Sequence, residues 1–99
     1  MIIQILEHRF VASVDREQVE EFMNNVARPA WEKAGYKMIR FAWVQTGRPM
    51  KVGIVIGELD SFADLERVCT VKEMQECAAE FGRRFPDTEV TRRMLEVVE

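Results

Sequence analysis

The two side chains best suited to catalysis in this sequence are those of His8 and Arg40. His8 is the only histidine, and an imidazole titrates near neutral pH, which suits a general acid or base. Arg40 stands midway along an apolar stretch, where a guanidinium group could bind a substrate carboxylate or stabilise an enolate. We predict these two catalytic roles, with Glu7 as the natural ion-pair partner of Arg40. The structural alternatives are a surface or interface histidine and an arginine paired across a dimer.

A second group of residues could form the walls of a binding pocket. Trp43 and Tyr36 offer large rings, and Gly53 and Gly57 leave room beside them, because strand glycines often mark the close approach of a ligand or of another backbone. We therefore predict that these four residues and Glu7 bind a ligand. The alternative is that they only pack in the core.

The composition excludes several classes of function. The 99 residues are 47% hydrophobic and 31% charged, which predicts one folded domain over residues 1–99. A net charge of −3 argues against nucleic acid or an anionic membrane as a partner. The sequence has no P-loop, dinucleotide-binding glycine run, Ser-His-Asp order or CxxC pair, so we expect no cofactor. A single histidine also argues against a metal site.

The two cysteines, Cys69 and Cys77, fit neither a metal-ligand spacing nor a disulfide framework. We interpret both as small buried hydrophobic residues. The sequence also has no apolar run long enough for a membrane span and no signal-peptide core, so we expect a cytoplasmic protein.

Four stretches are typical of β-strands because they are rich in β-branched and aromatic residues. They cover residues 1–12, 36–46, 51–59 and 88–98. The second and third are joined by turn residues, Gly47-Arg48-Pro49, and are predicted to form a hairpin.

Two regions have the apolar period of amphipathic helices. The first begins at an Asp15 cap and ends at Gly35, and Pro29 is expected to bend or break it near Val26. The second begins at a Ser61 cap. Because 70–73 reads as another capping box, we expect two helices there, the last ended by Gly82 and Pro86.

The predicted order β-α-β-β-α-β is that of an α+β ferredoxin-like fold, a four-stranded sheet of order 4-1-3-2 with both helical regions on one face. The third strand places one set of residues on one face, Val52, Ile54 and Ile56, and another set on the other face, Gly53, Val55, Gly57 and Leu59. Neither face therefore has the polar pattern of a solvent-exposed sheet. The second strand is similar, with Ile39, Phe41 and Trp43 opposing Tyr36, Met38, Ala42 and Val44. Two apolar faces in so small a chain predict a homodimer, or a higher oligomer, formed through the face without helices.

Four short patches carry a resemblance to a known superfamily. They are Glu7-His8-Arg9-Phe10, Val19-Glu20-Glu21-Phe22, Pro29 with Ala34-Gly35-Tyr36, and the run from Glu58 to Asp64. With the order of elements, these patches resemble the dimeric α/β-barrel superfamily, in particular NIPSNAP-like and antibiotic-biosynthesis-monooxygenase-like proteins.

The resemblance implies a homodimeric α/β barrel that binds a small, partly apolar organic molecule and could act as a cofactor-independent oxygenase or isomerase. The alternative, from a different functional class, is a self-association or interaction module without catalysis. A cavity of roughly 300 Å³ or more, lined by one of the predicted polar groups, would favour ligand binding.

Overall fold

A computed structural model describes residues 1–45 and 51–98. Four antiparallel strands form one sheet in the order β2-β3-β1-β4. The strands are β1 (Ile2–Phe10), β2 (Lys37–Trp43), β3 (Lys51–Leu59) and β4 (Glu89–Glu96). The predicted fold and strand order are confirmed, with β1, β2 and β4 a few residues shorter than expected. The predicted turn at 47–49 lies outside the described residues.

The first helical region consists of three consecutive pieces. They are α1 (Arg16–Phe22), a π-helical segment (Met23–Ala27) and α2 (Arg28–Ala34). Asp15 caps α1 by accepting a hydrogen bond from the Glu17 backbone N–H at 2.9 Å, and Gly35 ends α2 with φ at 112°, as predicted. Near Val26, where a bend or break is predicted, the chain stays helical but changes to the π form. Pro29 cannot donate the next helical hydrogen bond, and the preceding turn widens to the π form.

The second helical region is divided into α3 (Phe62–Thr70) and α4 (Lys72–Arg84) by the extended backbone of Val71. The predicted break is confirmed, but its predicted cap is wrong: Val71 occupies the N-cap position of α4, and the Thr70 hydroxyl instead donates to the Arg67 carbonyl at 2.8 Å. The prediction that Gly82 ends the last helix is wrong as well, because α4 continues past it to Arg84.

The sheet has one covered face and one open face. Alternate β3 residues from Gly53 to Leu59 are buried beneath the helices. The other set is only partly buried, and register pairs Ile56 with Ile5 and Ile54 with Glu7 on the open face. The two apolar faces predicted for β3 are therefore present. β4, at one edge of the sheet, is exposed along nearly its whole length.

A β-bulge in β2 changes which residues face the helices. Lys37 lies opposite Glu58, whereas Arg40 lies opposite Ile56, so β2 has one residue more than β3 between these two pairs. The extra residue reverses the alternation, and Tyr36 is buried on the same side as Phe41. The predicted placement of Tyr36 opposite Phe41 is therefore wrong.

The covered face of β3 is fitted to aromatic rings at its glycines. A Cβ atom on Gly57 would lie 2.8 Å from Cδ1 of Tyr36 and 3.0 Å from Cζ3 of Trp31. A Cβ atom on Gly53 would lie 2.7 Å from the Phe41 ring. Both glycines are thus required by the packing of this protein's own side chains.

We predict that Gly57→Ala destabilises the protein by about 1–3 kcal/mol, because the two rings must move to admit a methyl group. Gly82→Ala is the matched control. It lies in α4 with no atom within 4 Å of the added methyl, and it should be neutral or stabilise by up to about 1 kcal/mol. Urea unfolding of the two variants measures the contrast, and equal stabilities would contradict this account of β3.

Candidate functional site

A cavity of about 290 Å³ lies between the covered face of the sheet and the helices. Its volume is close to the lower end of the range of small-ligand sites. The lining is mostly apolar, and its polar side chains belong to His8 and Arg28. The other lining residues are Phe22, Met23, Ala27, Trp31, Ile39, Phe41, Val55, Met74, Cys77, Ala78, Phe81 and Val90.

Strand alternation directs the His8 side chain toward this cavity, and aromatic neighbours pack against its ring. It points to the covered face of β1, opposite Gly53, and only 5% of its surface is exposed. Its ring is stacked with Phe10 at 5.9 Å between centroids and tilted against Phe81 at 5.1 Å. Within the described part of the chain, Nδ1 of His8 is buried and has no hydrogen-bond partner. An unpaired buried polar atom is costly and is rare in folded proteins.

Burial controls the charge of His8. Desolvation lowers its pKa to about 4, and a weaker hydrogen-bonding contribution from the Gly53 backbone opposes this shift. The imidazole is therefore neutral at pH 7. A neutral imidazole has one nitrogen that accepts a hydrogen bond and one that donates.

Two lining residues that sequence reasoning did not select are Arg28 and Cys77. Arg28 is half-buried at the junction of the π-helical segment and α2, and its backbone N–H reaches back to the Met23 carbonyl. Its one sequence signal was its position just before Pro29, in the predicted break. Cys77 is buried and burial raises its thiol pKa, whereas Cys69 is exposed, which corrects the prediction that both are buried.

The structure separates the two predicted catalytic residues. His8 faces the cavity, whereas Arg40, paired with Ile56, belongs to the open face. Glu7 is also on the open face, and its carboxylate contacts the Arg9 guanidinium at 3.3 Å instead of the expected Arg40. Arg40 lines a shallow depression at the β2 edge of the sheet.

The four residues predicted to form the pocket wall are engaged in internal contacts, and none of them lines the cavity. The Tyr36 hydroxyl donates to Oε1 of buried Gln4 at 2.7 Å, and its ring lies 4.5 Å from that of Trp31. Trp43 donates through Nε1 to Oε1 of Glu20 at 2.9 Å. Gly53 and Gly57 accommodate the rings described above. The walls come instead from the neighbouring rings of Phe41 and Trp31.

Among residues 1–45 and 51–98, no group of three or more His, Cys, Asp or Glu side chains is arranged to hold a metal ion. No helix in these same ranges is long and apolar enough to cross a membrane.

Comparisons with known proteins identify the fold. No family model matches the sequence, and no curated protein is significantly similar to it. Among solved structures, an ethyl tert-butyl ether degradation family protein from Bacillus halodurans has a TM-score of 0.73 at 12% identity, covering 99% of this chain and 100% of its own. An antibiotic biosynthesis monooxygenase has a TM-score of 0.63 at 14% identity, covering 98% and 99%. A variant of SnoaB, a cofactor-independent oxygenase from Streptomyces nogalater, has a TM-score of 0.68 at 9% identity, covering 99% and 94%.

The chain thus has the ferredoxin-like α+β fold of antibiotic-biosynthesis-monooxygenase-type proteins, as the sequence resemblance predicted. At these identities the likeness establishes the fold. The NIPSNAP-like part of the resemblance stays a prediction.

We predict that neutral His8 makes stability depend on pH. The unfolded chain takes up a proton at this residue as the pH falls through about 6.5, whereas the folded chain does so only at about 4. Proton uptake by the unfolded state favours unfolding, so this contribution to stability is complete above pH 6.5 and is lost progressively down to pH 4.

Between pH 7 and pH 5, the free energy of unfolding should therefore fall by about 2 kcal/mol more in the wild type than in His8→Leu. Urea unfolding of both proteins at the two pH values measures this difference. Parallel pH profiles would show that His8 is not buried in its neutral form.

Proposed function

We propose that this protein binds a small, mostly apolar organic molecule in the cavity beneath the helices, with a polar atom of the ligand hydrogen-bonded to His8. The observation that carries the proposal is that His8, whose buried Nδ1 has no hydrogen-bond partner among the described residues, lines a cavity of about 290 Å³. Apolar walls would bury the body of the ligand, and the imidazole would orient it. The cavity comes close to the roughly 300 Å³ that the sequence argument set for ligand binding, and one of the predicted polar residues, His8, lines it.

The protonation state of His8 limits the chemistry. Because the imidazole is neutral at pH 7, it can accept a hydrogen bond from a ligand hydroxyl or take a proton from an acidic C–H or O–H group. The resulting imidazolium would lie in an apolar environment, so it would be stable only beside the anion formed on the ligand. We infer that any catalysis is a proton transfer within such an ion pair. Cofactor-independent oxygenase or isomerase chemistry could begin with this step.

The first test compares p-cresol with toluene, two probes of similar shape that differ in one hydroxyl group. We expect both to bind the wild type, and His8→Leu to weaken p-cresol roughly 2- to 12-fold while leaving toluene unchanged, as for the loss of one hydrogen bond. Chemical-shift titration gives both affinities.

Two substitutions control for the location of binding. Ala27→Leu places a larger side chain in the cavity wall and should weaken both probes, whereas Ala63→Leu on exposed α3 should weaken neither. No binding of either probe to the wild type would refute the proposal, as would binding that Ala27→Leu leaves intact.

A second proposal concerns the open face, which we infer to be covered by another copy of this chain. Register places Arg40, Ile56, Ile5 and Arg93 side by side across the four strands. Ile3 and Ile54 extend the partly buried apolar centre. An apolar centre with a charged rim is the ordinary composition of a protein interface. This observation also supports the alternative function, self-association without catalysis, and the two functions are compatible.

We predict that Ile5→Lys shifts the protein from a dimer to a monomer, because a second copy would have to bury the new charge. Val98→Lys adds the same charge at a position that is 90% exposed and should leave the assembly unchanged. Sedimentation equilibrium at micromolar concentration measures both. A monomeric wild type would contradict the interface.

We also propose that residues 1–99 form one domain and that the protein is cytoplasmic. The two free cysteines, Cys69 and Cys77, are consistent with a reducing compartment.

A further inference from the structure

A shallow depression at the β2 edge adjoins the His8 cavity. The depression is lined by Arg28, Ile39, Arg40, Phe41 and Ala42. Three of these residues, Arg28, Ile39 and Phe41, also line the cavity. The cavity and the depression are therefore neighbouring spaces that share part of their lining.

Two arginines from different layers line this depression. Arg28 comes from the start of α2 and Arg40 from the edge strand β2. The depression has no acidic residue in its lining. Across residues 1–45 and 51–98, neither arginine forms a salt bridge, which is also true of Arg16, Arg92 and Arg93.

The local charge is therefore positive in a chain whose net charge is −3. Guanidinium groups bind carboxylates through two parallel N–H···O hydrogen bonds, and two such groups that lack acidic partners favour an anion strongly. The cavity beside them is apolar and favours an uncharged, apolar group. Together they match a molecule with an apolar body and one anionic end.

The π-helical segment is what brings Arg28 to this position. Met23 and Ala27, its first and last residues, face the cavity, and the Arg28 N–H bonds to the carbonyl five residues earlier. In a regular α-helix the same bond would span four residues, and Arg28 would be rotated away from its present direction. The widened turn thus places a cation where the helix period does not predict one.

We propose that Arg28 and Arg40 bind the carboxylate of a small carboxylic acid whose mostly apolar body, with one polar atom against His8, occupies the His8 cavity. This inference rests on the proposed ligand-binding function and narrows its substrate class. Arg40 thereby keeps the carboxylate-binding role predicted from sequence. The sequence did not indicate that this role would be shared with Arg28 at the β2 edge of the sheet. His8 would contact the body of the same ligand, so the two polar sites would fix its direction.

The test uses four probes, benzoate, phenylacetate, 3-phenylpropionate and 4-phenylbutyrate, each with the matched primary alcohol. The alcohols report on the cavity alone, and the ratio of acid to alcohol affinity reports on the arginines. We expect the wild type to bind at least one acid roughly tenfold more tightly than its alcohol. Because the contact is ionic, this preference should shrink as sodium chloride is raised.

Substitutions assign the preference to its residues. Arg28→Met and Arg40→Met should each reduce the acid preference about fivefold or more and leave alcohol binding unchanged. Arg28→Lys should retain part of it, because the charge remains and the paired hydrogen bonds do not. The control is Arg83→Met, which removes the same charge from an exposed position of α4 that lines neither the cavity nor the depression, and it should leave the acid preference unchanged.

The outcomes separate this inference from the one it rests on. Alcohol binding without any preference for acids would overturn the carboxylate site and leave the cavity proposal standing. Equal loss of acid and alcohol in Arg28→Met would also overturn it, because Arg28 would then only support the cavity wall. If neither acids nor alcohols bind the wild type, the cavity proposal itself fails.

Discussion

The continuous antiparallel pairing of β1 with β3 is the constraint on which the rest of the structure depends. It runs from Ile2 opposite Leu59 to Phe10 opposite Lys51, so alternate side chains of both strands share a face. One face receives His8, the glycines and the helices. The other receives Ile5, Ile54 and Ile56. The cavity and the open apolar face are therefore two results of one register, and a shift of one residue would exchange them.

The cavity reflects an unequal distribution of large and small residues between the layers. Rings from β2 and α2 occupy the space that Gly53 and Gly57 provide, and the aromatic cluster around Phe10 closes the end near His8. The two groups touch where the rings of Phe10 and Trp43 lie 5.7 Å apart, and the space that remains beside them is bordered by a neutral imidazole. A core selected for stability alone would fill such a space or pair such a nitrogen. A ligand that supplied the missing contacts would offset the free-energy cost of the unfilled space and the unpaired nitrogen.

Much of the architecture could be predicted from sequence because local signals agreed with one another. Asp15, Pro29 and Gly35 set the limits and the irregular turn of the first helical region, and β-branched runs set the strands. The site was harder. Both sheet faces are apolar, so alternation alone could not say which face the helices cover, and His8 and Arg40 were combined although they lie on opposite faces. Tyr36 was misplaced by a bulge that no residue type announces, and Arg28 was missed because the helical period changes just before it.

The exposure of β4 has a consequence for how copies of this chain can meet. An edge strand offers unpaired backbone groups to any extended chain, and addition there can repeat without limit. β4 carries four charges in eight residues, at Glu89, Arg92, Arg93 and Glu96, and all four side chains are exposed. A chain adding to this edge would have to match and partly desolvate these charges. The charged edge therefore opposes open-ended, fibre-like growth through β4, which is compatible with the proposed face-to-face pair.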